Sequence, residues 1–362
     1  MSFKCGIIGL PNVGKSTLFN ALTKGNAVIA NFPFCTIKPN IGIVPVLDKR
    51  VDNLVKIVNP KKVVHAYIEF VDIAGLVSGA SKGEGLGNQF LSNIRDTNAI
   101  IHVVRCFQDN DIVHIHNKVT PLNDIDVINT ELILSDLDTC EKYISQLKKK
   151  YKVNNKDIQN TLLVLKKCIN HLNNGLMIRN LSLNKEEKEK IIFLRLLTIK
   201  PTIYVANINE EKNSFVLLNE LKKIAKEDNT MVIPIFANLE LDLSTMNNDE
   251  KKYFMKELNI SHVGLNDIIM AGYQLLNLIT FFTVGPKEIH AWSIPKGSTS
   301  VQAAEKIHSD FKKGFIRAQI ISYIDFIKYK NELKIRELGK CRTEGKNYFV
   351  QDGDIIHFLF NV

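Results

Sequence analysis

The sequence is short of several things, and each shortage excludes a class of protein. Its six cysteines, Cys5, Cys35, Cys106, Cys140, Cys168 and Cys341, never fall in C-x-x-C spacing. A zinc site or a disulfide framework is therefore not expected, and most of the thiols read as buried. No apolar run approaches the ~18 residues that a membrane span requires. The run Cys5 to Leu10 is too short for a secretory core and passes straight into a glycine-rich loop. These features predict a cytoplasmic chain with no membrane contact. Long-period repeats are missing too, which excludes solenoids and propellers.

What is present is the balance of a globular protein. Of 362 residues, 45% are hydrophobic and 23% charged. That length favours two or three domains. Acidic residues are the minority sign, and the net charge is +9. The excess favours an anionic partner such as RNA, or simply a solubilising lysine surface.

Three textures follow along the chain. Up to about residue 120, short apolar runs alternate with glycine-rich loops. Phe3 to Gly9, Tyr67 to Asp72 and Ala99 to Arg105 read as buried strands, and Ser16 to Lys24 as a helix. That alternation predicts a parallel α/β sheet. A helical texture follows. Leu137, Cys140, Ile144, Leu147 and Tyr151 form one stripe; Ile158, Leu162, Leu165, Ile169, Leu172 and Leu176 form another. With a polar turn at Asn154 and Asn155 between them, they predict an antiparallel, coiled-coil-like hairpin. Lys148 to Lys150 on it reads as a solvated flank or an RNA contact.

The α/β texture resumes with Pro201 ending a helix and strands at Thr202 to Ala206 and Met231 to Phe236, so the hairpin is an insertion. Beyond about residue 278, short runs (Ile289 to Ile294, Tyr348 to Val350, Ile355 to Phe360) surround one helix near Thr299 to Phe311. This predicts a small mixed β domain.

The chemistry sits at the start. Gly9-Leu-Pro-Asn-Val-Gly14-Lys15-Ser16 fits G-x-x-x-x-G-K-[ST], between a strand and a helix. Glycine lets successive N–H groups face phosphates, Lys15 reaches the β- and γ-phosphates, and Ser16 ligates Mg²⁺. The dipole of the following helix adds to anion binding. Val71-Asp72-Ile-Ala-Gly75 follows an apolar strand. Asp72 is placed to hold Mg²⁺, and the Gly75 N–H to meet the γ-phosphate. Thr36, in Asn31-Phe-Pro-Phe-Cys-Thr36-Ile, stands where a switch loop supplies Mg²⁺ with a second hydroxyl.

Asn207-Ile208-Asn209-Glu210 occupies the place of the guanine-reading N-K-x-D motif. The methylene that Glu adds over Asp misplaces the carboxylate by about 1 Å, too much for a bidentate contact. The base preference is thereby opened to adenine. Leu76 follows Gly75 where Ras-like enzymes carry a water-orienting Gln, so intrinsic hydrolysis is expected to be slow.

With these motifs placed, the chain resembles the YchF/Obg-like ATPase family, in its bacterial branch, over essentially its whole length. The matching stretches include GLPNVGKSTLFNALTK from Gly9, NFPFCTI from Asn31, FVDIAGLV from Phe70 and GASKGEGLGNQFL from Gly79. HVVRCF from His102, NINE from Asn207 and QDGDIIHFLFNV from Gln351 match as well.

The resemblance implies an α/β P-loop NTPase domain over 1–277, interrupted by the helical insertion at about 125–200. It implies a β-grasp-like TGS domain over 278–362. It further implies hydrolysis of ATP in preference to GTP, and association with the ribosome through the large subunit and the whole particle. Asn12, Val13, Gly14, Lys15, Ser16 and Thr17 carry over as the phosphate loop, with Ser16 and Thr36 on Mg²⁺. Asn207, Ile208, Asn209 and Glu210 carry over as the base loop. Asn12 takes the place that binds K⁺ in related enzymes, and His114 that of a loop histidine assisting hydrolysis. Gly83, Gly85 and Gly87 give the second switch its mobility, or serve turns. One departure is Phe236-Ala237-Asn238, where Asn238 either bonds the base or caps the next helix. Two other functions stay open: a guanine-nucleotide switch, and an ATP-sensing ribosome- or RNA-binding module with negligible turnover.

Overall fold

The computed structural model describes residues 3–24, 40–73, 86–109, 111–112, 119–150, 156–257 and 264–361. They fall into two compact units, Phe3–Ile43 with Glu69–Gly272, and Val44–Ile68 with Tyr273 onward.

Among the described residues, seven strands occupy the first two-thirds of the chain: β1 (Lys4–Ile8), β2 (Asn40–Val46), β3 (Lys62–Val64), β4 (Ala66–Asp72), β5 (Ala99–Arg105), β6 (Thr202–Asn207) and β7 (Met231–Ile235). All but β3 form one sheet in the order β2-β4-β1-β5-β6-β7. β1 pairs in parallel with β4 and β5, β5 with β6, and β6 with β7. Every residue of β5 and β6 is buried. This explains their unbroken apolar runs, since parallel strands are covered on both faces. From β1 the chain crosses towards β4 and β2, and from β5 towards β6 and β7. The order thus reverses between β1 and β5, where open α/β sheets bind ligands beyond their strand ends.

The helical hairpin is Pro121–Lys150 followed by Lys156–Asn173. Cys140 and Leu147 on the first helix and Leu165, Cys168 and Leu172 on the second are buried. The second stripe stops short of its expected end. Gly175 turns the chain at φ +74°, and Leu176 is 48% exposed. The return to the sheet is tied by buried Asp136. Its carboxylate accepts from the amides of Leu197 (2.9 Å) and Thr198 (2.8 Å) and from the Thr198 hydroxyl (2.7 Å). Pro201 does not end a helix. The last helical turn before it is Ile192–Leu194, irregular backbone follows, and Pro201 directly precedes β6.

In the second unit, β3 is joined by β8 (Leu278–Val284), β9 (Glu288–Pro295), β10 (Phe315–Ser322), β11 (Arg342–Glu344) and β12 (Asp354–Phe360). The order is β11-β10-β12-β8-β9-β3, with mixed parallel and antiparallel pairs. Phe281, Phe315 and Phe358 centre its core, against Ala303 and Ala304 of the helix Ser300–Ile307. A capping box between Thr299 and Gln302 starts that helix.

Two features of this unit differ from the sequence expectation. Tyr348 to Val350 is no strand; Phe349 makes a single bridge with Thr299. The one expected helix is two, Ser300–Ile307 and Ser309–Lys313, and among the described residues Tyr323–Tyr329 and Glu332–Glu337 add two more. Ser322 and Asn331 cap them, so serine and asparagine before short apolar runs were the overlooked signal. The strand β3 and the helix Lys49–Val58 also join this unit from early in the chain. Arg50 fastens the helix by donating to Asp48 and to Asp352, the latter at 2.8 Å.

Cys5, Cys106, Cys140 and Cys168 are buried, and burial pushes the Cys5 thiol up to about 12, which leaves it inert. No helix among the described residues is long and apolar enough to cross a membrane.

Candidate nucleotide site

The loop after β1 owes its shape to its glycines. A Cβ on Gly9 would lie 2.5 Å from the Val103 carbonyl oxygen, and Gly14 adopts φ +99°. Asn12, also left-handed at φ 63°, is a residue type that tolerates this conformation. The helix Lys15–Lys24 then begins, with Leu18 N–H donating to the Gly14 carbonyl at 2.9 Å. A helix start leaves its first amides without intrahelical partners, the arrangement that binds phosphate.

Lys15 is 7% exposed, and its Nζ donates to the Leu10 carbonyl at 2.6 Å. Burial lowers its pKa to about 8, against the raising influence of Asp72. The pairing of β1 with β4 sets Asp72 opposite Ile7, beside the loop. There the Ser16 hydroxyl donates to Asp72 Oδ2 at 3.2 Å. Burial raises the Asp72 pKa, while the Ser16 hydroxyl and the Lys15 charge oppose it. Hydroxyl and carboxylate are the hard oxygen donors Mg²⁺ takes, so these residues fit the ion. Among the described residues no group of three or more His, Cys, Asp or Glu can hold a metal.

Asn207 ends β6 beside the same loop. Its Nδ2 donates to the Val13 carbonyl at 3.0 Å, and its Oδ1 accepts from the Ala237 amide at 3.2 Å. One side chain thus ties the phosphate loop, the loop after β6 and the loop after β7. Ile208 is buried in the core, its amide on the Ile235 carbonyl at 2.9 Å. Asn209 is occupied within its own loop, accepting from the Glu211 amide and the Ser214 hydroxyl. Glu210 is exposed.

These residues surround a cavity of about 510 Å³, lined by Asn12, Gly14 and Thr17 on one side and Asn207 to Glu210 on another. Phe236 to Leu239 line it too. Asn238 does not cap the helix Ala237–Thr245: the cap position is Phe236, and Asn238 falls in the first turn, on the cavity wall. The remaining wall is Phe107, Asp109 and Ile112, in the loop after β5. Motif reasoning missed these three, because they belong to no spacing rule. The only pointer was their position directly beyond a strand at the reversal of sheet order.

Thr36, Gly75, Leu76, Gly83, Gly85 and His114 lie outside the described residues, as does Cys35. Gly87 is described, and it is helical, the second residue of Leu86–Arg95.

Comparison with known proteins agrees with this geometry. Residues 4–208 match a family described as 50S ribosome-binding GTPase. Residues 278–361 match YchF-GTPase_C, described as a protein of unknown function, DUF933. The chain is 68% identical to the ribosome-binding ATPase YchF of Buchnera aphidicola from Acyrthosiphon pisum, and 56% identical to that of Escherichia coli O157:H7. Both alignments cover 100% of each chain. Among solved structures, the Schizosaccharomyces pombe YchF GTPase superposes with a TM-score of 0.87 at 38% identity, covering 99% of this chain and 98% of that one. A shared fold, full-length identity and matching family models at both ends establish that the chain belongs to the YchF family.

Proposed function

We propose that this chain is a slow Mg²⁺-dependent ATPase that acts on the ribosome as a nucleotide-controlled switch. The observation that carries the reading is the convergence of Lys15, Ser16 and Asp72 on a glycine-shaped loop at a helix N-terminus. The curated bacterial relatives are named ribosome-binding ATPases.

In this reading the amides of Gly14 to Thr17 and the Lys15 ammonium take the phosphates. Lys15 leaves the Leu10 carbonyl to do so, and both groups stabilise charge on the transferring phosphoryl group. Mg²⁺, when bound, would supply further positive charge to the phosphates. Ser16 and Asp72 would hold it, with Thr36 as the second hydroxyl. The Gly75 N–H meets the γ-phosphate and His114 assists the attacking water. Leu76 orients no water, which keeps the intrinsic rate low. K⁺ at Asn12 is a further element of the proposal, supported by the residue's place in the loop.

Adenine preference rests on Glu210, whose longer side chain suits a guanine contact poorly. The Schizosaccharomyces pombe neighbour is called a GTPase, and Glu210 is still a carboxylate. A guanine switch is therefore the second reading. Contact with the large subunit and with RNA, through the basic excess of the chain and a TGS-like domain over 278–362, completes the proposal. It places the chain in the cytoplasm, with a nucleotide domain over 1–277 interrupted by the hairpin. The test is phosphate release with and without ribosomes. Lys15→Ala is expected to abolish release under both conditions. Normal release from that variant would contradict the reading.

A further inference from the structure

The cavity wall formed by Phe107, Asp109 and Ile112 has an unusual support. Among the described residues, no backbone–backbone hydrogen bond holds Phe107 to Ile112; the last such bond before them joins the Cys106 amide to the Asn207 carbonyl. Three of its carbonyls are held by the side chain of Arg105, the last residue of β5, which is 1% exposed, and within the loop the Asp111 amide donates to Asp109 Oδ1 at 2.9 Å. The arginine Nε donates to the Phe107 carbonyl, its Nη1 to that of Ile112 and its Nη2 to that of Asp109, each at 3.1 Å. The guanidinium also packs over the Phe107 ring, 4.6 Å from its centroid.

Burying a guanidinium is costly unless its donors are satisfied. Here its three nitrogens are spent on three carbonyls of one short loop. A planar fork fixes those carbonyls relative to one another and to the rigid end of a central strand, which a lysine cannot do. Burial lowers the Arg105 pKa, and the charges of Asp109 and Asp124 oppose that shift.

We propose that Arg105 is a positioning residue for base recognition: it holds Phe107, Asp109 and Ile112 of the nucleotide cavity's wall in their binding arrangement. It acts through that wall rather than by touching nucleotide. The inference rests on the reading that the cavity takes the purine. A wall ordered in advance spares the bound state the cost of ordering it. Loosening it weakens the hold on the base and leaves the hold on the phosphates, which lies with the loop after β1.

The experiment compares Mg²⁺-ATP, Mg²⁺-GTP and Mg²⁺-tripolyphosphate binding to the full chain and to Arg105→Lys, by calorimetry. Tripolyphosphate probes the phosphate loop alone. The expected result is an ATP affinity down about tenfold, a tripolyphosphate affinity within about twofold of the unaltered chain, and a smaller ATP-over-GTP ratio. Arg105→Met, which keeps the stem and removes every donor, is expected to go further in the same direction. ATP affinity unchanged in Arg105→Lys overturns the proposal. Equal losses for ATP and tripolyphosphate overturn it too, since they mark a general loss of structure. If the unaltered chain binds tripolyphosphate as tightly as ATP, the cavity holds no base, and the reading beneath the proposal falls with it.

Discussion

A Cβ built on Gly14 would overlap the side-chain nitrogen of Asn207, the same nitrogen that donates to the Val13 carbonyl. The phosphate loop and the base loop therefore meet without room for a methyl group. Gly14→Ala adds this clash to a strained φ of +99°. It is expected to cost more than about 1 kcal/mol of stability and to abolish ATP binding. Thermal unfolding and calorimetry check both, and ATP bound at unaltered affinity would refute the close approach.

Asn207→Ala tests the brace itself. It strands a buried carbonyl at Val13 and an amide at Ala237, at a cost of about 1–3 kcal/mol. Because the brace serves both loops, affinity for ATP and for tripolyphosphate should fall together, in contrast to Arg105→Lys. A loss confined to ATP would show that Asn207 supports the base alone.

The depressed Lys15 pKa carries two pH signatures. Its folded value is about 8 against an ordinary 10.5. Below pH 8 the lysine is charged in both folded and unfolded chains, so the cost of burying it is fully present. From pH 8 to 10.5 the folded chain releases the proton first, and this contribution to stability rises with pH. A bound triphosphate restores the charge, so ATP binding above pH 8 takes up a proton. Calorimetry at pH 8.5 in buffers of different ionisation enthalpy should reveal that uptake, and Lys15→Met should remove it. No difference between buffers would contradict the assigned shift.

How much of this was legible in the sequence depends on whether a local rule existed. The strand Ala99–Arg105 and the loop from Gly9 could be read because burial on both faces and phosphate geometry each impose a short pattern. The partnership of Asn207 with Val13 and Ala237 spans 194 residues in one direction and 30 in the other. Only the parallel register of β1, β5, β6 and β7 brings them together. Arg105 read as the end of an apolar strand, and nothing in its spacing marks a buried guanidinium. Strand β3 joins β9, more than 200 residues away, by three pairs. A three-residue edge strand leaves almost no periodicity to detect.

In the proposed reading, base choice turns on Glu210. Glu210→Asp shortens the side chain to the length a guanine contact requires, and is expected to move affinity towards GTP. The direct readout is competition of GTP against bound ATP. A shift in the opposite direction would place the base contact elsewhere on the cavity wall.

The most direct test of the central claim is equilibrium binding of ATP and of GTP to the nucleotide-free chain, with Mg²⁺ and K⁺ present. Tighter ATP, lost in Lys15→Ala, is the predicted result. Tighter GTP would mean that Glu210 serves guanine after all, and would contradict the ATPase reading.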